Sequence, residues 1–156
     1  YPMRNGKLDT QRKNSDGSYY LYILKNSTVT WDGENIKNAL LPIGFNLGFS
    51  ISALLKKQNI KVLGNSSVSA NMDMLLAGRL SGVASFKMAA EMVLRKNKRY
   101  NSIIKIPTPL KYKPYFTILS HQFVKKNPEL AEKIWDTASE VGRSSDYQII
   151  IKKYKD

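Results

Sequence analysis

Between Pro42 and Ile106, short apolar runs alternate with short stretches of helical spacing, and this alternation limits the fold more than any other feature of the chain. Pro42-Ile43-Gly44-Phe45-Asn46 reads as a strand. Gly48-Phe49-Ser50 follows, then Ile51, Leu54 and Leu55 at the i, i+3 and i+4 positions of a short amphipathic helix. Ile60-Lys61-Val62-Leu63 is a second strand. Ser66 and Ser67 are N-cap candidates for a helix that carries Val68, Met72, Leu75 and Leu76 on one face and ends at Gly78. Gly82-Val83-Ala84-Ser85 is a third strand, and Met88, Ala89, Met92 and Val93 mark the next helix. Ile103-Ile104-Lys105-Ile106 is a fourth strand, stopped by Pro107 and Pro109. Strands joined by helical crossovers predict βαβ units, and so an α/β fold with a mainly parallel sheet flanked by helices.

The flanking segments are less regular. Residues 1–17 are polar and read as a loop. Ser18-Tyr19-Tyr20-Leu21-Tyr22-Ile23-Leu24 is rich in aromatic and β-branched residues and reads as a strand, and Thr28-Val29-Thr30-Trp31 as a second extended piece before a turn at Asp32-Gly33. Tyr115-Phe116-Thr117-Ile118-Leu119 is predicted to be a strand. Asn127-Pro128-Glu129 supplies an N-cap, a first-turn proline and an acid at the positive end of a long helix. Its predicted apolar face is Leu130, Ile134, Trp135, Ala138 and Val141, with Gly142 as its stop. A last helix begins at Ser145-Asp146, with Tyr147, Ile150, Ile151 and Tyr154 on one side.

Composition narrows the function. The chain has no cysteine, which excludes disulfides and thiolate metal sites. Its single histidine, His121, and the lack of a clustered acidic loop leave no metal motif. Ser120 beside His121 reads as a turn or cap residue, because no third partner is positioned for a triad. Gly44 to Ser50 holds two glycines without a following Gly-Lys-Ser/Thr, so it is not a P-loop. Neither an enzyme nor a bound cofactor is expected. The net charge of +13 raises the alternative of a nucleic-acid-binding protein. Its basic clusters, at Lys56-Lys57, Arg95 to Arg99, Lys125-Lys126 and Lys152-Lys153, fall mostly at helix C-termini, where cations suit the helix dipole. They make no stripe with interleaved aromatics, so no nucleic-acid partner is expected. No run approaches the roughly 18–20 apolar residues of a spanning helix. No signal peptide is visible either, and the opening Tyr1-Pro2-Met3 suggests a processed product, an excised domain or a fragment.

The order of elements resembles the second half of an extracellular solute-binding protein of family 3, of the type II periplasmic binding fold. Three stretches carry the resemblance: Pro42 to Ser50, Leu75 to Ala84 with its Gly78-Arg79, and Pro114 to Phe123 with Asn127 to Trp135. It implies two lobes: residues 1–37 as a partial lobe 1 and hinge strand, 38–107 as lobe 2, and 108–156 as the return to lobe 1 with C-terminal helices. A further N-terminal stretch of lobe 1 would precede Tyr1. The resemblance also implies a periplasmic or extracytoplasmic location, a monomer, and a small polar or anionic solute, amino-acid-like or an organic acid. The partner would be the membrane permease of an ABC transporter or a sensor kinase. The alternative is the ligand-sensing domain of a regulator or receptor.

Ligands of such folds sit beyond the carboxyl ends of the parallel strands. That places Asn46, Gly48, Phe49 and Ser50 at the candidate site, with helix N–H groups and the Ser50 hydroxyl suited to an anion. Ser50 also reads as a plain N-cap and Gly48 as a turn residue. Ser81 to Phe86 is the region where family members commonly place an aspartate for the ligand's amine; it holds no carboxylate, and its Ser85 and Phe86 are further candidate site residues. Tyr22 reads equally as a cleft residue or as core. Trp31 reads as a ligand platform or a buried anchor, Trp135 as core, and Met72, Met74, Met88 and Met92 as core fillers.

Overall fold

The computed structural model describes residues 1–155, with side chains described through Lys153. In chain order the strands and helices are β1 (Met3–Arg4), β2 (Lys7–Leu8), β3 (Ser15–Leu24), β4 (Thr30–Trp31), β5 (Ile36–Lys37), β6 (Ile43–Asn46), α1 (Ser52–Lys57), β7 (Val62–Asn65), α2 (Val68–Leu76), β8 (Gly82–Phe86), α3 (Lys87–Lys96), β9 (Ile103–Lys105), β10 (Lys111–Tyr115), α4 (His121–Lys126), α5 (Pro128–Arg143) and α6 (Ser145–Lys155). Two compact units divide them. The first joins Tyr1–Gly17 to the residues from Lys113 onward, and the second is Ser18–Tyr112. Residues 18–37 fall in the second unit because β3 pairs with β8 and β9, and the Trp31 indole donates to the Pro109 carbonyl at 3.2 Å.

The second unit is the predicted α/β arrangement. Strands β7, β6 and β8 run parallel, in register Ile43 with Val62 and Gly82, and β3 runs antiparallel to β8 and β9. Alternation along β3 and β8 builds two cores, one on each sheet face. Tyr19, Leu21, Ile23, Phe45 and Ala84 pack on one face under Ile51 and Leu55 of α1. Tyr22 and Val83 pack on the other under Met72 and Leu75 of α2 and Ala90 of α3. All four residues of β6 are buried. Gly44 is required there: a Cβ would stand 2.6 Å from Asn71 Oδ1 and 2.6 Å from Leu80 Cδ1, so α2 lies closer to the sheet than a side chain would allow. Trp31 is a buried anchor. Met72 is core and Met74 packs against it, but Met88 and Met92 are 42% and 49% exposed, because α3 turns Ala90 and Val93 inward instead. Asp32 closes the β4–β5 hairpin by accepting from Glu34 N–H at 2.9 Å, Asn35 N–H at 2.7 Å and Lys37 Nζ at 2.7 Å.

The first unit departs from expectation in several places. The strand ends at Tyr115 instead of spanning 115–119. Thr117 explains it: its N–H donates to Asn14 Oδ1, its hydroxyl accepts from Asn14 Nδ2, and its carbonyl accepts from the Trp135 indole, so side chains use groups that a ladder would need. Residues 121–126, not foreseen as a helix, form α4, capped by the Ser120 hydroxyl on Phe123 N–H at 3.1 Å. Helix α5 buries Ala131, Trp135, Ser139 and Gly142, while Leu130 and Val141 are exposed. Gly142 does not stop this helix; a Cβ there would overlap the Asn14 carbonyl, so the position serves close backbone approach. Asn127 stands at the N-cap position of α5, but its amide donates back to Phe123 O at 3.3 Å. On α6, Tyr147 and Ile151 are half-buried and Ile150 is exposed; Tyr154 lies outside the described side chains. Arg12 ties the segment before β3 to Glu132 and Asp136 of α5, and the Glu132 carboxylate is the main cause that raises its pKa.

Three outcomes follow. Gly142→Ala, which would favour an ordinary helix by about 0.5–1 kcal/mol, is expected here to destabilise by about 2 kcal/mol through overpacking, read as a lower urea midpoint. Burial raises the pKa of the Tyr22 phenol, helped by Glu91 and Tyr20, and its covered hydroxyl has no hydrogen-bond partner. A raised folded pKa means that this contribution is complete below the unfolded value near ~10 and is lost as pH rises above it. Tyr22→Phe should therefore leave stability at neutral pH equal or about 1 kcal/mol higher and lessen its fall in alkali, measured by denaturation against pH. Hydrogen bonds from Lys37 first, then Asn35 and Glu34, lower the pKa of Asp32. That contribution is present above the unfolded aspartate value near ~4 and is lost as pH falls below it; NMR titration of the carboxyl should show the depression largely relieved in Lys37→Met.

Candidate functional site

Helix α1 follows β6 onto one face of the sheet and α3 follows β8 onto the other. Adjacent parallel strands whose chains leave in opposite directions open a crevice at their carboxyl ends, where α/β sheets place ligands. One step beyond the paired Phe45 and Ala84, Asn46 and Ser85 stand at the base of this crevice. The turn after β6 brings Gly48, Phe49 and Ser50 to the same edge, and Phe86 ends β8 there as the N-cap residue of α3. Six of the seven predicted site residues therefore meet at one edge. Tyr22 does not: it pairs with Val83 and Lys105, further along β3, and its ring is fully buried among the α2 and α3 side chains.

Two layers line the crevice. On one face Tyr19 stacks edge-on with Phe49 at 6.2 Å and with Phe86 at 5.6 Å between ring centroids. On the other face a line of amides runs Asn65–Asn71–Asn46: Asn65 Nδ2 donates to Asn71 Oδ1 at 2.8 Å, and Asn71 Nδ2 lies 3.4 Å from Asn46 Oδ1 and 3.2 Å from Ser67 O. The Ser85 hydroxyl is covered and has no hydrogen-bond partner. Tyr19, Asn65 and Asn71 were not among the predicted site residues. An asparagine in the middle of a helix that is otherwise apolar on that face was the available signal for Asn71.

The turn after β6 differs from expectation in detail. Helix α1 starts at Ser52 with Ile51 at its N-cap and no side-chain cap, so Ser50 is not the N-cap. The Phe49 N–H donates to Asn46 O at 3.2 Å, and the Ser52 N–H to Phe49 O at 3.4 Å. Gly48 has φ +80°, and a Cβ there would meet nothing within 4 Å, so its backbone faces open space. Helix α2 is capped by the Ser67 hydroxyl on Ala70 N–H at 3.1 Å, whereas α3 has no side-chain cap. The sequence places no Asp or Glu in 44–52, 63–71 or 82–88, and one lysine, Lys87. The edge thus presents helix dipole, amides, hydroxyls and aromatic edges, without a carboxylate. Among the described residues no group of His, Cys, Asp and Glu is placed to hold a metal ion. A surface hollow lined by Lys126, Asn127, Pro128, Glu129, Leu130 and Lys133 belongs to the other unit and holds none of these residues.

By sequence the chain matches no protein-family model and no curated protein. By structure it is similar to the arginine-, lysine-, histidine-binding protein ArtJ from the thermophilic bacterium Geobacillus stearothermophilus, with a TM-score of 0.65 at 19% identity over 92% of this chain and 60% of that one. Holo ArgBP from T. maritima matches at 0.57 and 18% identity, over 92% and 60%. The GluR0 ligand-binding core in complex with L-glutamate matches at 0.57 and 12%, over 82% and 60%. These are binding proteins, not enzymes, and the chain spans about three fifths of their length. The chain has the fold of the type II periplasmic binding proteins, over that part of it.

Proposed function

We propose that this chain is the larger part of a non-enzymatic solute-binding protein of the cell envelope. It holds a small polar or anionic solute, amino-acid-like or an organic acid, at the crevice between β6 and β8, and hands it to an ABC-type permease or reports it to a sensor kinase. The observation that carries this reading is the coincidence of the topological switch point with an uncapped helix start and no carboxylate. The uncapped N–H groups of α3 and the open backbone at Gly48 favour a carboxylate or a similar anion. Asn46 and Ser50 supply further hydrogen-bonding groups, Ser85 a hydroxyl at the base, and Phe49 and Phe86 the apolar walls. Tyr22 supports β3 from within the core. A ligand ammonium would find no counter-charge at this edge, so an acid without a free amine fits it better than a standard α-amino acid. A similar fold in the substrate-binding protein of an amino acid ABC transporter supports reading this chain as an extracytoplasmic protein that acts with a membrane partner.

Amide NMR of the chain, titrated with small carboxylic acids and with amino acids, tests this. Shifts confined to residues 46–50 and 85–87, larger for the acids, are expected. Shifts elsewhere, or none up to tens of millimolar of any of them, would overturn the site. Gly48→Val combined with Ser50→Ala should weaken binding at least tenfold while the amide dispersion of a folded unit is retained; unchanged affinity would remove these two residues from the site.

A further inference from the structure

The edge of the second unit opposite the crevice has a different chemistry. The starts of the parallel strands lie there, with the C-terminal ends of the helices that cross between them. Leu40 and Leu41 precede β6, the middle strand of the parallel three, and are 89% and 43% exposed. Their loop is pinned: the Leu41 N–H donates to Ser81 Oγ at 2.7 Å and the Ser81 N–H to Pro42 O at 3.0 Å.

Cations surround this pair on both faces of the sheet. Lys56 and Lys57 close α1 on one face, and Arg95 and Lys96 close α3 on the other, all exposed. Exposed Lys61, whose carbonyl accepts from Ile43 N–H at 2.9 Å, leads into β7 beside the leucines. Exposed Lys25 follows β3 and donates its N–H to Ser102 O at 2.8 Å. Three acidic groups nearby are paired, Asp73 with Arg99 at 2.6 Å, Asp32 with Lys37 at 2.7 Å and Glu91 with Arg95 at 4.0 Å, which leaves exposed Glu34 beside Asp32 against the cations.

We propose that this edge docks on an anionic phospholipid surface, with Leu40 and Leu41 entering the headgroup region and the surrounding lysines and arginines meeting the lipid phosphates. Adjacent exposed leucines within a ring of cations combine the two attractions that hold a protein at a charged membrane. A surface for single-stranded nucleic acid would use aromatic platforms among its cations, and Tyr100 at this edge is buried, while a duplex has no use for the exposed leucine pair.

Co-sedimentation of the whole chain with vesicles of phosphatidylglycerol and phosphatidylcholine, against phosphatidylcholine alone, tests the proposal. Retention on the anionic vesicles only, reduced in about 0.5 M NaCl, is expected. Leu40→Ser with Leu41→Ser should weaken it about tenfold. Lys56→Gln with Lys57→Gln should weaken it about fivefold per charge removed. These side chains are exposed, so unchanged circular dichroism is expected and separates lost docking from lost folding. No retention on anionic vesicles overturns the proposal. So does retention that the leucine pair does not affect and that duplex DNA competes away, which would assign the edge to nucleic acid.

Discussion

The missing side chain at Gly44 is the constraint on which the working end of the second unit depends. Strand β6 is covered on both faces, and any Cβ at this position would press on Asn71 and Leu80. With none there, α2 settles close to the sheet and Asn71 reaches across it, linking Asn46 at the end of one strand to Asn65 at the end of the next. A buried amide is costly unless its donors and acceptor are used, and Asn71 meets that condition with Asn65, Asn46 and the Ser67 carbonyl. This small network fixes the strand ends relative to each other, and the crevice inherits its shape from them.

The parallel arrangement also sorts charge. Each crossover helix starts near a strand's carboxyl end and finishes near the next strand's start, so the helix dipoles place their positive ends at the crevice and their negative ends opposite. The residues follow. Lys56, Lys57, Arg95 and Lys96 complete α1 and α3 at the far edge, where cations meet the negative helix ends. The crevice edge has neither carboxylates nor a cluster of cations, which leaves the helix dipole as its main electrostatic feature. Four of the chain's 25 lysines and arginines thus sit at the negative ends of α1 and α3, away from the carboxyl ends of the strands.

What the sequence made legible was local. The βαβ order, the Ser67 cap, the Gly78 stop with its φ of +67° and the Asp32-Gly33 turn all rest on neighbours within a few residues, and all appear. The places where prediction and structure part are set by distant partners. Residues 116–119 have strand composition, but Asn14, far away in sequence, takes the Thr117 backbone. The large apolar residues of α5 suggested a face through Leu130 and Val141; the observed face runs through Ala131, Ser139 and Gly142, because the chain at Asn14 lies too close for bulk. Hydrophobicity patterns weight side-chain size, and close backbone packing reverses that weighting. The crevice was legible in its loop residues for the same local reason, whereas its amide line was hidden, since Asn65 and Asn71 look like ordinary polar positions until the sheet brings them together.

Residue 86 makes the chemical argument most sharply. It stands at the N-cap position of a helix without a side-chain cap, where a negative group is favoured by the dipole and where an aspartate would both cap the helix and offer a counter-charge to a ligand amine. The chain has phenylalanine there, packed edge-on against Tyr19, followed by Lys87. That choice gives up a favourable cap, leaves helix N–H groups to be satisfied from outside, and makes the neighbouring charge positive. A site that bound a cation at this point would gain from the opposite choice at every step. The same three consequences are coherent for a ligand that brings its own negative charge, because it then supplies both the cap and the counter-charge that the chain omits.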